Sequence, residues 1–172
     1  KNKDSILIDT MSGLPTIEEC KRLWDEFMVP DNIRRHCWIV SGIAVFLAKR
    51  LKNKGLDIDI GLVERASLLH DLLKIATIES FQEEDRFKRS DEKTKQGYIK
   101  LQEKFLGNTH EEAATEVLGS SYPRLAEIIR KHGFEAILTI NKEPWSWEEK
   151  IVTYADKRVR HDEIVSLRQR FE

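Results

Sequence analysis

Apolar residues recur along this chain at the three-and-four spacing of amphipathic helices, and the alternation that marks a strand is scarce. Thr16-Ile17-Glu18-Glu19 has the form of a capping box and opens a helix over about residues 16–29. After Pro30, Asp31 starts a long amphipathic segment reaching about Asn53. Its apolar stripe is Ile33, Cys37, Val40, Ala44, Leu47 and Leu51, with Gly55 as its stop. Leu62, Ala66, Leu69 and Leu73 give a third helix. Helical pattern resumes from Tyr98 to Leu106, from the capping box at Thr109 to Gly119, and from Pro123 to Lys131, with Gly133 as a stop. A further capping box at Ser146 opens a helix through Val159, and a last helix closes the chain. Glu135 to Asn141 could form a short strand, but it has no evident partner. The pattern predicts an all-α fold, a single compact helical bundle over residues 1–172 whose core runs from about 31 to 171.

One stretch breaks the pattern. Residues 79–95 are dominated by charge, with only Phe81 and Phe87 apolar. The segment reads as a long charged loop or as a lid over a neighbouring site.

Composition narrows the functional classes. Apolar residues make up 40% of the 172 and charged residues 34%, a globular balance rather than a disordered one. The 29 basic and 30 acidic side chains leave a net charge of -1. No broad electrostatic claim on nucleic acid or an anionic membrane follows, so phosphate chemistry would need a local site. The two cysteines, Cys20 and Cys37, make neither a disulfide framework nor a zinc knuckle. No apolar run approaches the roughly 20 residues that span a bilayer, and a cytoplasmic location is the expectation.

The chemistry lies in misplaced polar residues. His36 lines up with Ile33, Val40 and Ile43. His70 falls on the line of Val63, Ala66 and Leu73. His110 precedes Ala113, Ala114, Val117 and Leu118, and His132 follows Leu125, Ile128 and Ile129. Asp71 directly follows His70, and Asp156 sits between Val152 and Val159 on one face. Taken singly, each is a side chain that a core satisfies by hydrogen bonding. Four imidazoles and two carboxylates together are costly to bury unless they share a compensating charge. A divalent metal supplies it, and Mn, Fe, Ni, Zn or Mg accept these donors. Six ligands exceed what one open catalytic ion needs, so two metals fit better. His161-Asp162 lies on a run with Lys157, Arg158 and Arg160 and is read as a solvated helix start outside the metal set.

The ordered set His36, His70-Asp71 and Asp156 resembles the HD-domain superfamily of metal-dependent phosphohydrolases, the HDIG type, from about Asp31 to Phe171. The intervening His110 and His132 are similar to its six-ligand dinuclear branch. Leu72-Leu73 departs from the Ile-Gly that often comes after the His-Asp pair. Lys74 stands where many members carry a lysine near the scissile phosphate. The resemblance implies one metal on His36, His70, Asp71 and Asp156, and a second on His110 and His132, bridged by Asp71.

The resemblance also implies hydrolysis of a small phosphorylated substrate, a phosphomonoester or phosphodiester of nucleotide-like character, by a water activated between the metals. Lys74 would neutralise a phosphoryl oxygen, while Lys157 and Arg35 are candidates for substrate charge. Glu111 and Glu112 receive no catalytic role. Trp145 and Trp147 either stack a base or pack. Two other classes stay open: a di-iron oxygenase on the same six ligands, and a non-catalytic nucleotide or metal sensor.

Overall fold

The computed structural model describes residues 13–78, 85–138 and 144–172. Helices α1 (Ile17–Glu26), α2 (Asp31–Lys52) and α3 (Ile60–Leu69) are followed by the short α4 (Lys74–Thr77) and α5 (Asp85–Lys88). Then come α6 (Glu92–Lys104), α7 (His110–Leu118), α8 (Pro123–Lys131), α9 (Phe134–Leu138) and α10 (Trp147–Lys157). A two-stranded antiparallel hairpin, β1 (Val159–Arg160) and β2 (Glu163–Ile164), leads into α11 (Leu167–Phe171). The fold is all-α apart from that hairpin. No helix among the described residues is long and apolar enough to cross a membrane.

Three predicted capping boxes form. The side chains of Thr16, Thr109 and Ser146 accept from the amides of Glu19, Glu112 and Glu149, and those glutamates accept in return from the cap amides. Gly55 takes a left-handed backbone, φ +93°, as the chain leaves α2. Helix α2 runs through the middle and packs on α3 and α10, while α8 closes against α3, α7 and α10. Val40, Ala44, Val63, Ala66, Leu69, Leu125, Ile129, Val152 and Ala155 meet there, all fully buried. Burying a Leu, Ile or Val side chain contributes about 1.5–3 kcal/mol, so this seam is the main apolar store of the fold.

Four elements differ from expectation. The strand suggested at Glu135–Asn141 is helical in its described part, α9; Thr139 to Asn141 lie outside the described residues. Without a second strand to pair with, an extended run there would leave backbone groups unmet, and a helix meets them internally. The charged segment is helical at α5, and α6 begins at Glu92 rather than near Tyr98, because Asp91 caps it through the Thr94 amide and hydroxyl; residues 79–84 lie outside the described residues. Helix α10 stops at Lys157, and Val159 opens the hairpin instead.

The fourth difference matters most. Helix α3 ends at Leu69 rather than running through Leu73. Its last carbonyls are taken by other donors. Ser67 O accepts from His70 Nδ1 at 2.8 Å, and Leu68 O from the Trp24 indole at 3.0 Å. Leu69 O accepts from the Leu72 amide and Asp71 O from the Lys74 amide, both one residue tighter than an α-helix. The chain therefore turns at His70-Asp71, and this turn aims both side chains inward. Trp24, buried on α1, holds it from outside. Trp24→Phe keeps the ring but strands a buried carbonyl, so urea unfolding should show a loss of about 1–3 kcal/mol.

Candidate metal centre

The six predicted donors come from five places that the packing brings together: α2 (His36), the α3–α4 turn (His70, Asp71), the start of α7 (His110), the end of α8 (His132) and α10 (Asp156). All but His110 are buried, and His110 is partly so.

Each imidazole is pinned through Nδ1. His36 Nδ1 donates to the His161 carbonyl at 2.9 Å, His70 Nδ1 to Ser67 O at 2.8 Å, and His132 Nδ1 to Ile129 O at 2.5 Å. A carbonyl only accepts, so these three Nδ1 atoms carry the proton. His110 Nδ1 faces the Glu111 carboxylate at 3.2 Å, which imposes the same tautomer. In the neutral, metal-binding form of each ring Nε2 is then the atom left with a lone pair, and all four Nε2 atoms point inward. His36 and His70 meet Nε2 to Nε2 at 3.3 Å, and His110 and His132 do so at 3.2 Å.

Asp71 lies between the two histidine pairs. Its Oδ2 is 3.8 Å from His36 Nε2 and 3.7 Å from His70 Nε2; its Oδ1 is 3.5 Å from His110 Nε2 and 4.0 Å from His132 Nε2. Asp156 Oδ1 completes the first side, 3.1 Å from His36 and 3.4 Å from His70. Facing lone pairs and carboxylate oxygens repel one another without a positive charge among them. The donor set therefore fits divalent cations: nitrogen and oxygen donors about 3 Å apart are what ligands sharing an ion with bonds of about 2.1 Å require. His36, His70 and Asp156 form one cluster that could hold a metal, His70, Asp71 and His132 another, and His110, Glu111 and His132 a third.

The electrostatics express the same demand. Burial opposes charge on His70, but Asp71, Cys37 and Asp156 outweigh it and hold the imidazole well above its ordinary pKa. Burial also works against ionising Asp71 and Asp156. Neighbouring His70, Lys74 and His110 nevertheless hold Asp71 well below the carboxylate range, and hydrogen bonds from His36 and His70 do so for Asp156. His132 goes the other way: burial, then the positive fields of His70 and His110, lower it to about 4. Burial likewise lowers His110.

The predicted substrate cations part company. Lys74 Nζ lies 2.6 Å from Asp71 Oδ2, its side chain partly open to solvent, and it shares a cavity of about 420 Å³ with His36 and Asp71. Arg35 lines that cavity too and is ion-paired with the Asp162 carboxylate at 3.9 Å. Lys157 faces inward instead, bonded to Asp156 Oδ2 at 2.6 Å and to the His132 carbonyl at 3.4 Å, so it braces two donors and lines neither cavity at the site.

Some contributors were not singled out from sequence. Glu111 holds His110, and a Cβ on Gly133 would overlap that carboxylate, so a side chain there would push Glu111 off His110. His161 enters through its carbonyl, in a left-handed turn with φ +59° that a non-glycine residue adopts at a cost. No spacing rule reveals a backbone carbonyl contributed by the hairpin. A second cavity, about 680 Å³, opens over His110 and Glu111 and is lined in part by Trp145, while Trp147 is half-exposed with Lys150 over its ring.

Among known proteins, the HD domain family matches residues 33–160, a span that contains all six donors. Over 42 residues the chain is 45% identical to an uncharacterized protein of Methanocaldococcus jannaschii. That stretch is 24% of this chain and spans only 25% of the relative's length. No solved structure gives a significant match.

The low pKa of His132 has a measurable consequence. Folding favours its neutral ring, so the stability it contributes is complete above about pH 6.5 and is lost as the pH falls from there towards 4. In EDTA, the urea midpoint of the wild type should fall across that window relative to its value at pH 7. His132→Gln should remove that part of the slope, and equal slopes in the two proteins would contradict the assignment.

Proposed function

This chain belongs to the HD domain family, and on that premise we propose that it is a metal-dependent phosphohydrolase with a two-cation centre. Its substrate is a small phosphomonoester or phosphodiester of nucleotide-like character. One observation carries the reading: the buried Asp71 carboxylate presents one oxygen to His36 and His70 and the other to His110 and His132. A carboxylate in that position can serve two cations at once. In this reading His36, His70, Asp71 and Asp156 hold the first ion, and Asp71, His110 and His132 the second. A single HD domain takes in α1 and the C-terminal hairpin as well as the matched residues.

When bound, such cations supply Lewis acidity: they draw in a phosphoryl oxygen, make water a better nucleophile and offset charge on the leaving oxygen. The side chains do the rest. Lys74, at the cavity mouth and bonded to Asp71, is placed to pair with a phosphoryl oxygen that enters the cavity. Lys157 keeps Asp156 oriented and anchors the carbonyl of His132. Glu111 keeps the proton of His110 on Nδ1, leaving Nε2 free to bind.

The test is phosphate release from a panel of nucleotides and simple phosphate esters with added Mn under anaerobic conditions. The wild type should turn over at least one class. Asp71→Ala should lose that activity and bound metal together, whereas Lys74→Ala should lower kcat with metal content intact. Bound iron with oxygen uptake and no phosphate release would instead identify an oxygenase, and tight nucleotide binding without turnover would identify a sensor.

A second outcome concerns the residues behind the ligands. Glu111→Ala should weaken divalent metal binding about 10- to 100-fold, the usual cost of removing such a partner. Gly133→Ala should do the same by displacing Glu111, with the urea midpoint kept near that of the wild type. Calorimetric titration with Mn measures both.

A further inference from the structure

The two cavities beside the centre differ in charge. The larger mixes Glu111 and Glu112 with Arg130 and Lys131. The smaller gathers Arg35, Lys74, Arg160 and Arg170 against the carboxylates of Asp71 and Asp162, within a chain whose net charge is only -1. Those arginines come from three elements, α2, β1 and α11, so no single helix face accounts for their meeting.

Their charges are poorly spent inside the protein. Among the described residues Arg35 pairs only with the Asp162 carboxylate at 3.9 Å, and both side chains are more than half exposed, so that pairing is weak. Arg160 donates to a neutral acceptor, the Gln169 carbonyl, at 3.2 Å. Among the described residues the Arg170 guanidinium has no partner. Bringing like charges together around a concavity is unfavourable unless an anion occupies it, and the guanidinium fork matches phosphate better than an ammonium does. The hairpin that carries Arg160 also bears the left-handed His161, whose carbonyl aims His36 into the centre. One strained turn thus fixes a reacting-centre donor and a rim cation together.

We infer that Arg35, Arg160 and Arg170 form a subsite for a second phosphate, one that the reaction leaves in place. The substrate class is then a small molecule with two phosphate groups. One phosphate is cut at Asp71 and Lys74 while the arginines hold the other. This rests on the phosphohydrolase reading. Water gives its oxygen to the scissile phosphorus, the bond from phosphorus to the leaving oxygen breaks, and a water proton ends on that oxygen. The products are inorganic phosphate and a compound that keeps the retained phosphate. The second phosphate is either a separate ester or the neighbour in a diphosphate.

Two measurements on the full chain test this. First, inorganic phosphate is titrated calorimetrically into protein in EDTA. Arg160→Gln/Arg170→Gln should raise its Kd at least tenfold, and an unchanged Kd overturns the subsite. Arg170→Gln alone, which removes no internal bond, serves if the double variant shifts the urea midpoint, and should raise Kd at least threefold. Second, with Mn, kcat/KM is compared for adenosine 5'-monophosphate, adenosine 3',5'-bisphosphate and adenosine 5'-diphosphate. The wild type should prefer one of the last two over the monophosphate by at least tenfold, and the arginine variants should lose that preference mainly through KM. Whichever is preferred identifies the arrangement. Turnover of all three at one rate, unaltered in the variants, overturns the proposal. Arginine-dependent phosphate binding with no hydrolysis of any ester would uphold the subsite and defeat the phosphohydrolase reading alone.

Discussion

A carboxylate buried among four imidazole rings sets the terms for the rest of this molecule. Asp71 is held well below the carboxylate range, and its two oxygens face the Nε2 atoms of two histidine pairs. Attraction among its members does not account for the whole arrangement, because Nε2 confronts Nε2 within each histidine pair. It is held from behind. Carbonyls of Ser67, Ile129 and His161 and the carboxylate of Glu111 hold the Nδ1 side of each ring, while Lys74 bonds Oδ2 of Asp71 and Lys157 the outer oxygen of Asp156.

That backing explains why the helices end where they do. His70 caps its own helix by taking the Ser67 carbonyl, and His132 repeats the manoeuvre on Ile129 at the end of α8. Each ring then stands at a helix terminus, where the backbone turns away and leaves space for ligands. The first turn of α7, fixed by the Thr109 capping box, brings in His110 from the opposite direction. The apolar seam between α2, α3, α8 and α10 keeps these termini together, and Trp24 ties α1 to the same turn. Stability and site geometry therefore share their hydrogen bonds: the groups that satisfy orphan helix carbonyls are the same ones that orient the donors.

The range of each interaction decides how much of this is legible in the sequence. The helices are readable because the capping boxes at Thr16, Thr109 and Ser146 and the apolar stripe of α2 are local patterns. The donors are readable because a histidine or aspartate on an apolar stripe conflicts with its surroundings, and six such conflicts in one chain point to a common cause. Glu111 stays hidden because its neighbour Glu112 carries the capping role, and nothing local distinguishes the two. His161 has the form of a second His-Asp pair but enters only through its carbonyl. Lys157 reads as a candidate for substrate charge and is braced inward on Asp156.

The sequence by itself determined an all-α fold, its main helices, and which imidazoles and carboxylates would be driven inward, because those depend on periodicity and on the cost of burying polar groups. Tertiary structure alone decided the pairing of His36 with His70 and of His110 with His132, the placement of Asp71 between the pairs, and the meeting of Arg35, Arg160 and Arg170 beside one cavity. They bring together residues more than 100 positions apart, Arg35 and Arg170 among them. They depend on how helices cross and where each one stops, and at α3 that stop was set by a tryptophan from another helix and by the site histidine itself.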